Sequence, residues 1–79
     1  MDIQAAIRAN LGRLNWTLGD LAKKSGIPYG TLIKKTQGKT DFRVSEIERI
    51  AAAFGITELR FFEAAEEAEA LKGDYKDLK

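Results

Sequence analysis

Leu21, Ala22, Gly26, Ile27 and Leu32 stand at offsets that constrain the fold of this chain more than any other feature of its sequence. Ala22 is small enough to let a following helix cross closely over the helix that carries it. Gly26 permits a tight turn, because glycine enters the left-handed backbone region without a Cβ penalty. Ile27 is placed to plug the wedge between the two helices, and Leu32 to anchor the second from below. The pattern predicts two short helices crossing at a steep angle, with the N-terminal end of the second protruding.

Around this junction apolar residues recur at helical spacing almost throughout, and nothing alternates with period two. The fold class is therefore all-α, with five helices expected. The first runs from about Asp2, a capping residue, to Leu14, with Ile3, Ile7, Leu11 and Leu14 along one stripe. The second follows Thr17, a good N-cap with Asp20 three residues on, buries Leu18, Leu21 and Ala22, and stops at Ser25-Gly26. The third opens near Pro28, which suits a first turn because its missing N–H is no loss there, and ends at Gln37-Gly38. The fourth spans about Val44 to Phe54, with Ile47, Ile50, Ala51 and Phe54 inward. If Arg43 is its N-cap, Phe42 and Ile47 form a hydrophobic staple. Thr57 caps the fifth, whose inward residues are expected to be Leu59, Phe62 and Ala65, with Gly73 ending it. Residues 1–73 then form one domain and residues 74–79 a short flexible tail. Trp16, the only tryptophan, reads as a lid between the first two helices.

Composition narrows the chemistry. There is no cysteine and no histidine, so disulfides, thiolate metal sites and the commonest general base are excluded. Neighbouring acids such as Glu66, Glu67 and Glu69 have no accompanying base, nucleophile or phosphate-cradling loop, so an enzyme is not expected and no cofactor or small-molecule ligand is implied. No apolar run approaches the ~18 residues of a membrane span, and the first ten residues do not read as a signal peptide. The expected location is the cytoplasm. Net charge is only +1, but it is unevenly spread. Residues 1–56 hold nine Lys or Arg against five acids, a balance of +4, while residues 57–79 hold four against seven, a balance of −3. One end suits a polyanion and the other does not. A protruding helix also fits the width of the DNA major groove.

The stretch Thr17-Leu-Gly-Asp-Leu-Ala-Lys-Lys-Ser-Gly-Ile-Pro-Tyr-Gly-Thr-Leu, followed by Gly38 and then Ile47, Ile50, Ala51 and Phe54-Gly55-Ile56, resembles the lambda repressor/Cro (Xre-type) helix-turn-helix family. The likeness covers about residues 3–62 and has no gap from Thr17 to Gly38. Phe42 to Ile56 is similar to the fourth helix of immunity repressors from actinobacterial phages. The resemblance implies a sequence-specific double-stranded DNA-binding regulator, a phage- or bacterium-encoded repressor in the cytoplasm or nucleoid. It reads an operator with the helix from about Pro28 to Gln37. Tyr29, Gly30, Thr31 and Lys34 match positions that touch base edges or nearby phosphates. Gln37 and Lys39 match backbone contacts, and Arg43 falls near a position that approaches the minor groove.

Two departures matter. Leu18 stands where many relatives carry a phosphate-binding Gln, so that contact does not carry over. Lys35 stands where relatives are apolar, and Ile33 where a polar residue is common. Either the third helix is slightly rotated or Lys35 lays its stem over the core edge. Which of Lys34 and Lys35 reaches a base is left open, and both are DNA-contact candidates. The residues alone allow Lys34 and Lys35 to donate to guanine or neutralise phosphate, and Thr31 to meet a phosphate or a thymine methyl. The fifth helix is either a homodimer contact or a solvated tail. A competing reading is an antitoxin or an interaction module that uses the same fold on a protein partner. Salt-sensitive duplex binding separates DNA-binding readings from a pure interaction module.

Overall fold

Each helix boundary can be traced to a specific residue. The computed structural model describes residues 2–77, with side chains to Ala70. It contains α1 (Ile3–Leu14), α2 (Leu18–Ser25), α3 (Tyr29–Thr36), α4 (Val44–Phe54) and α5 (Glu58–Asp77). Asp2 caps α1 by accepting the Ala5 N–H at 2.9 Å, and its own N–H reaches the Ala65 carbonyl at 3.1 Å, tying the start of the chain to α5. Asn15 ends α1 in the left-handed conformation, the one non-glycine residue to do so among the described residues. There the Trp16 and Asn15 N–H groups close back onto the Leu11 and Gly12 carbonyls.

Ile7, Leu21, Leu32, Ile50 and Phe61 are fully buried and come one from each helix, so all five helices share one core. α1 packs against α5, α2 against α3 and α4, and α4 against α5. Trp16 is a lid as expected, but over a different neighbour. Its ring lies 5.8 Å from that of Phe54 on α4, with the Lys24 ammonium 5.3 Å from the indole centroid.

Arg43 is the N-cap of α4 although its side chain cannot accept a hydrogen bond. The capping runs the other way, with Glu46 accepting the Arg43 N–H at 2.7 Å. Phe42 is half-buried against the core that includes Ile47, where a staple would place it.

Helix α5 corrects two expectations. Leu59, expected inside, is 71% exposed, and Phe61 is buried in its place, together with Ala65 one turn on. The entry of α5 is set by the ending of α4, where Ile56 folds back onto the Ala51 carbonyl, and that fixes the rotation of the helix. With Leu59, Phe61 and Phe62 all apolar, sequence spacing cannot select this phase. The backbone also stays helical through Gly73 to Asp77, so the expected stop at Gly73 is not taken. The expected flexibility of residues 74–79 concerns side chains and terminal residues outside those described. No described helix is long and apolar enough to cross a membrane.

Candidate nucleic-acid interface

The α2–α3 unit is held at four points. Thr17 and Asp20 form a reciprocal capping box, with the Asp20 N–H on Thr17 Oγ1 at 3.1 Å and the Thr17 N–H on Asp20 Oδ2 at 2.9 Å. The Thr17 N–H is the main cause that holds the Asp20 carboxyl below its ordinary range; desolvation opposes it, and the Thr17 hydroxyl and the charges of Lys23 and Lys24 add to it. At the turn, Gly26 sits at φ 74°, and its N–H closes on the Ala22 carbonyl at 3.0 Å. Space is not the reason for glycine here, since a Cβ would meet nothing within 4 Å; the backbone conformation is. The buried Ser25 hydroxyl accepts the Ile27 N–H at 3.3 Å, and Ile27 is buried in the wedge as its spacing predicts.

Pro28 is the N-cap of α3, one position earlier than the first turn expected for it. Its carbonyl accepts the Leu32 N–H at 3.0 Å, and it offers no side-chain cap. The first turn of α3, at the positive end of the helix, therefore has no side-chain cap for its N–H groups. α3 ends in a Schellman closure, with the Lys39 N–H on the Lys34 carbonyl, the Gly38 N–H on that of Lys35, and Gly38 at φ 80°.

Leu32 and Lys35 point inward from α3, and Gly30, Lys34 and Gln37 occupy the exposed side at helical i, i+4 and i+7 spacing. Tyr29 is 52% exposed beside them, and Thr31 is half-buried. Lys39 and Arg43 are exposed in the following loop and at its end. Of the sequence-predicted residues, Tyr29, Gly30, Lys34, Gln37, Lys39 and Arg43 are exposed, and Thr31 is half-buried on the same helix as the first three.

Lys35 is the correction. It is only 8% exposed, and its ammonium meets Glu46 Oε1 at 2.5 Å and the Asp41 carbonyl at 2.9 Å. Its charge is satisfied inside the protein, so it does not present a cation to a groove. The inward position also explains why an apolar residue would suit that register. Burial disfavours the ionised form of Glu46. The hydrogen bonds from Lys35 and the Arg43 N–H, with the nearby charges of both residues, outweigh it and hold the carboxyl below its ordinary range. Sequence reading missed Glu46 as a partner. The signal was a lysine on the buried face of α3, which requires a nearby acid.

A surface hollow of about 330 Å³ lies elsewhere. It is lined by Ala9, Asn10, Arg13, Ile56, Arg60 and Ala64, none of which belongs to α2, α3 or the loop after α3. Among the described residues, no group of side chains gathers as a metal site.

Comparison with known proteins agrees with this geometry at the level of the family. The helix-turn-helix family model matches residues 7–61, from α1 through the first turn of α5 and across the whole α2–α3 unit. Comparisons with curated proteins and with solved structures return no match. The matched segment is well over half of the chain and contains the capping box, the Gly26 turn and the exposed face of α3, and on that ground the chain belongs to the Xre/Cro/C1-type helix-turn-helix family of DNA-binding domains.

Proposed function

We propose that the protein is a sequence-specific regulator of transcription, a Cro-like repressor of phage or bacterial origin acting in the cytoplasm or nucleoid, that reads the major groove of duplex DNA with α3. The observation that carries this reading is the exposed Gly30–Lys34–Gln37 stripe on a short helix whose opposite side is locked by Leu32 and Lys35. Lys34 carries the charge suited to guanine O6/N7 or to phosphate. Gly30 has open space at its Cβ position, so backbone can approach a base edge closely. Tyr29 supplies an aromatic face and a hydroxyl at the helix tip, and Thr31 a methyl and a hydroxyl. In this reading Gln37 and Lys39 meet the phosphate backbone and Arg43 approaches the minor groove.

Selection of bound duplexes from a random pool tests the reading. A single enriched motif is the expected result. Two half-sites about one helical turn apart, roughly 34 Å, would mark a homodimer on its operator, and a single undivided motif a monomer. Recovery of no motif, with no salt-sensitive retention of duplex, would overturn the reading in favour of a protein partner on the same fold.

A further inference from the structure

Lys35 occupies a position that an apolar side chain would fill at lower cost. A buried ammonium must be paired, and replacing such a pair by apolar residues of similar volume is often neutral or stabilising. The charge here does something that packing would not. Lys35 Nζ bonds the Asp41 carbonyl in mid-loop, and Glu46 Oε1 receives both that ammonium and the Arg43 N–H. One carboxylate oxygen therefore joins the last turn of α3 to the N-cap of α4. Thr40, Asp41 and Phe42 make no backbone-to-backbone hydrogen bond among the described residues. The segment is fixed at its start by the Lys39 N–H on the Lys34 carbonyl and at its end by the Arg43 N–H on Glu46. Between them the Lys35 bond to Asp41 and the half-buried Phe42 hold it, with the ammonium 6.0 Å from the Phe42 ring centroid.

We infer that the Lys35–Glu46 pair is a positioning device for DNA binding: it sets the path of the loop that carries Lys39 and Arg43, without itself touching DNA. The inference rests on the DNA-reading function proposed above. The pair spans elements that the α2–α3 turn does not control. Two of the proposed contacts, Lys39 and Arg43, stand at the ends of this loop, and the distance of Arg43 from α3 depends on the loop's path.

A double-mutant cycle tests it on the intact chain with a selected duplex. Lys35→Met keeps the stem and removes the charge. Binding should weaken about tenfold, within the range of coupled neighbours. In a Lys39→Ala/Arg43→Ala background, the same change should weaken binding less than about twofold, because the residues it positions are gone. A purely structural role would give the same loss in both backgrounds, and that result, or wild-type affinity for Lys35→Met, overturns the inference. Glu46→Gln approaches the pair from its other side, keeps an acceptor oxygen, and should show the same non-additivity at smaller size. Amide exchange in the free protein at Lys39 and Arg43, whose N–H groups are hydrogen-bonded at the two ends of the loop, is the second readout. It should quicken in Lys35→Met, and unchanged exchange overturns the inference without reference to DNA. Wild-type protein that binds no duplex overturns the function reading itself, and the exchange result then reports separately whether the pair holds the loop.

Discussion

The α2–α3 unit and helix α5 are built on different principles. In α2–α3 nearly every boundary residue acts through local chemistry. Thr17 and Asp20 cap each other, Gly26 supplies a left-handed turn, Pro28 opens α3 and Gly38 closes it. Helix α5 has its Thr57 cap, which accepts the Arg60 N–H at 3.1 Å, and beyond that only the rotational phase of its apolar residues. Local chemistry fixes a short segment whatever packs on it. Phase is fixed from outside, by the elements that receive the helix. The charges divide along the same line, basic over residues 1–56 and acidic over 57–79.

The sharpest way to break this comparison is on α5. Phe61→Ala should cost about 3–5 kcal/mol, a large share of the stability of so small a domain. By differential scanning calorimetry the melting temperature should fall by more than about 12 °C. Leu59→Ala, two residues earlier and 71% exposed, should change stability by less than about 0.5 kcal/mol. A larger loss at Leu59 than at Phe61 would put Leu59 inside and contradict the phase described here.

On α3 the largest effect should appear in binding rather than stability. Lys34→Ala should lose about 1–3 kcal/mol on a selected duplex if Lys34 reads a base, measured by fluorescence polarisation. A loss of equal size on unrelated duplexes would limit Lys34 to phosphate. Thermal stability should stay near that of the parent, because Lys34 is exposed.

The turn between α2 and α3 should respond to backbone conformation alone. Gly26→Ala meets no steric neighbour, yet at φ 74° it should cost roughly 1–2 kcal/mol in chemical denaturation. A neutral result would mean that the turn relaxes and that Gly26 does not set the crossing of α2 and α3.

Much of this was legible in the sequence because it is local. Capping residues, the Gly26 turn, the Ile27 plug and the Leu32 anchor each act over a few positions, and the structure places them as their spacing predicts. What the sequence hid depends on residues distant along the chain or in the packing. Lys35 and Glu46 are eleven positions apart, and nothing at either position names the other until α3 and α4 are folded together. Lys34 and Lys35 are adjacent and chemically identical, yet one is exposed and the other buried. The helical period separates them, and the relevant signal was Leu32 three residues before Lys35 on the buried side.

The smallest effect concerns pH. Glu46 has its carboxyl depressed below the ordinary value of 4.5, so its ionised form contributes stability above that value. The contribution is lost as pH falls through the lower folded-state value. The stability difference between the wild type and Glu46→Gln should therefore be constant near neutral pH and shrink below about pH 4.5. Denaturation midpoints across pH would check it, and a difference that grows on acidification would reverse the sign assigned to the pair.

Contact between the basic α2–α3 end of the molecule and duplex DNA is tested most directly by polarisation of a labelled, selected duplex, titrated with the wild-type protein between about 50 and 200 mM salt. Log K should fall linearly and steeply with log salt, as cations on α3 and its loop displace counterions from phosphates. Binding that is absent at low salt, or that does not weaken as salt rises, would contradict a DNA-reading α3.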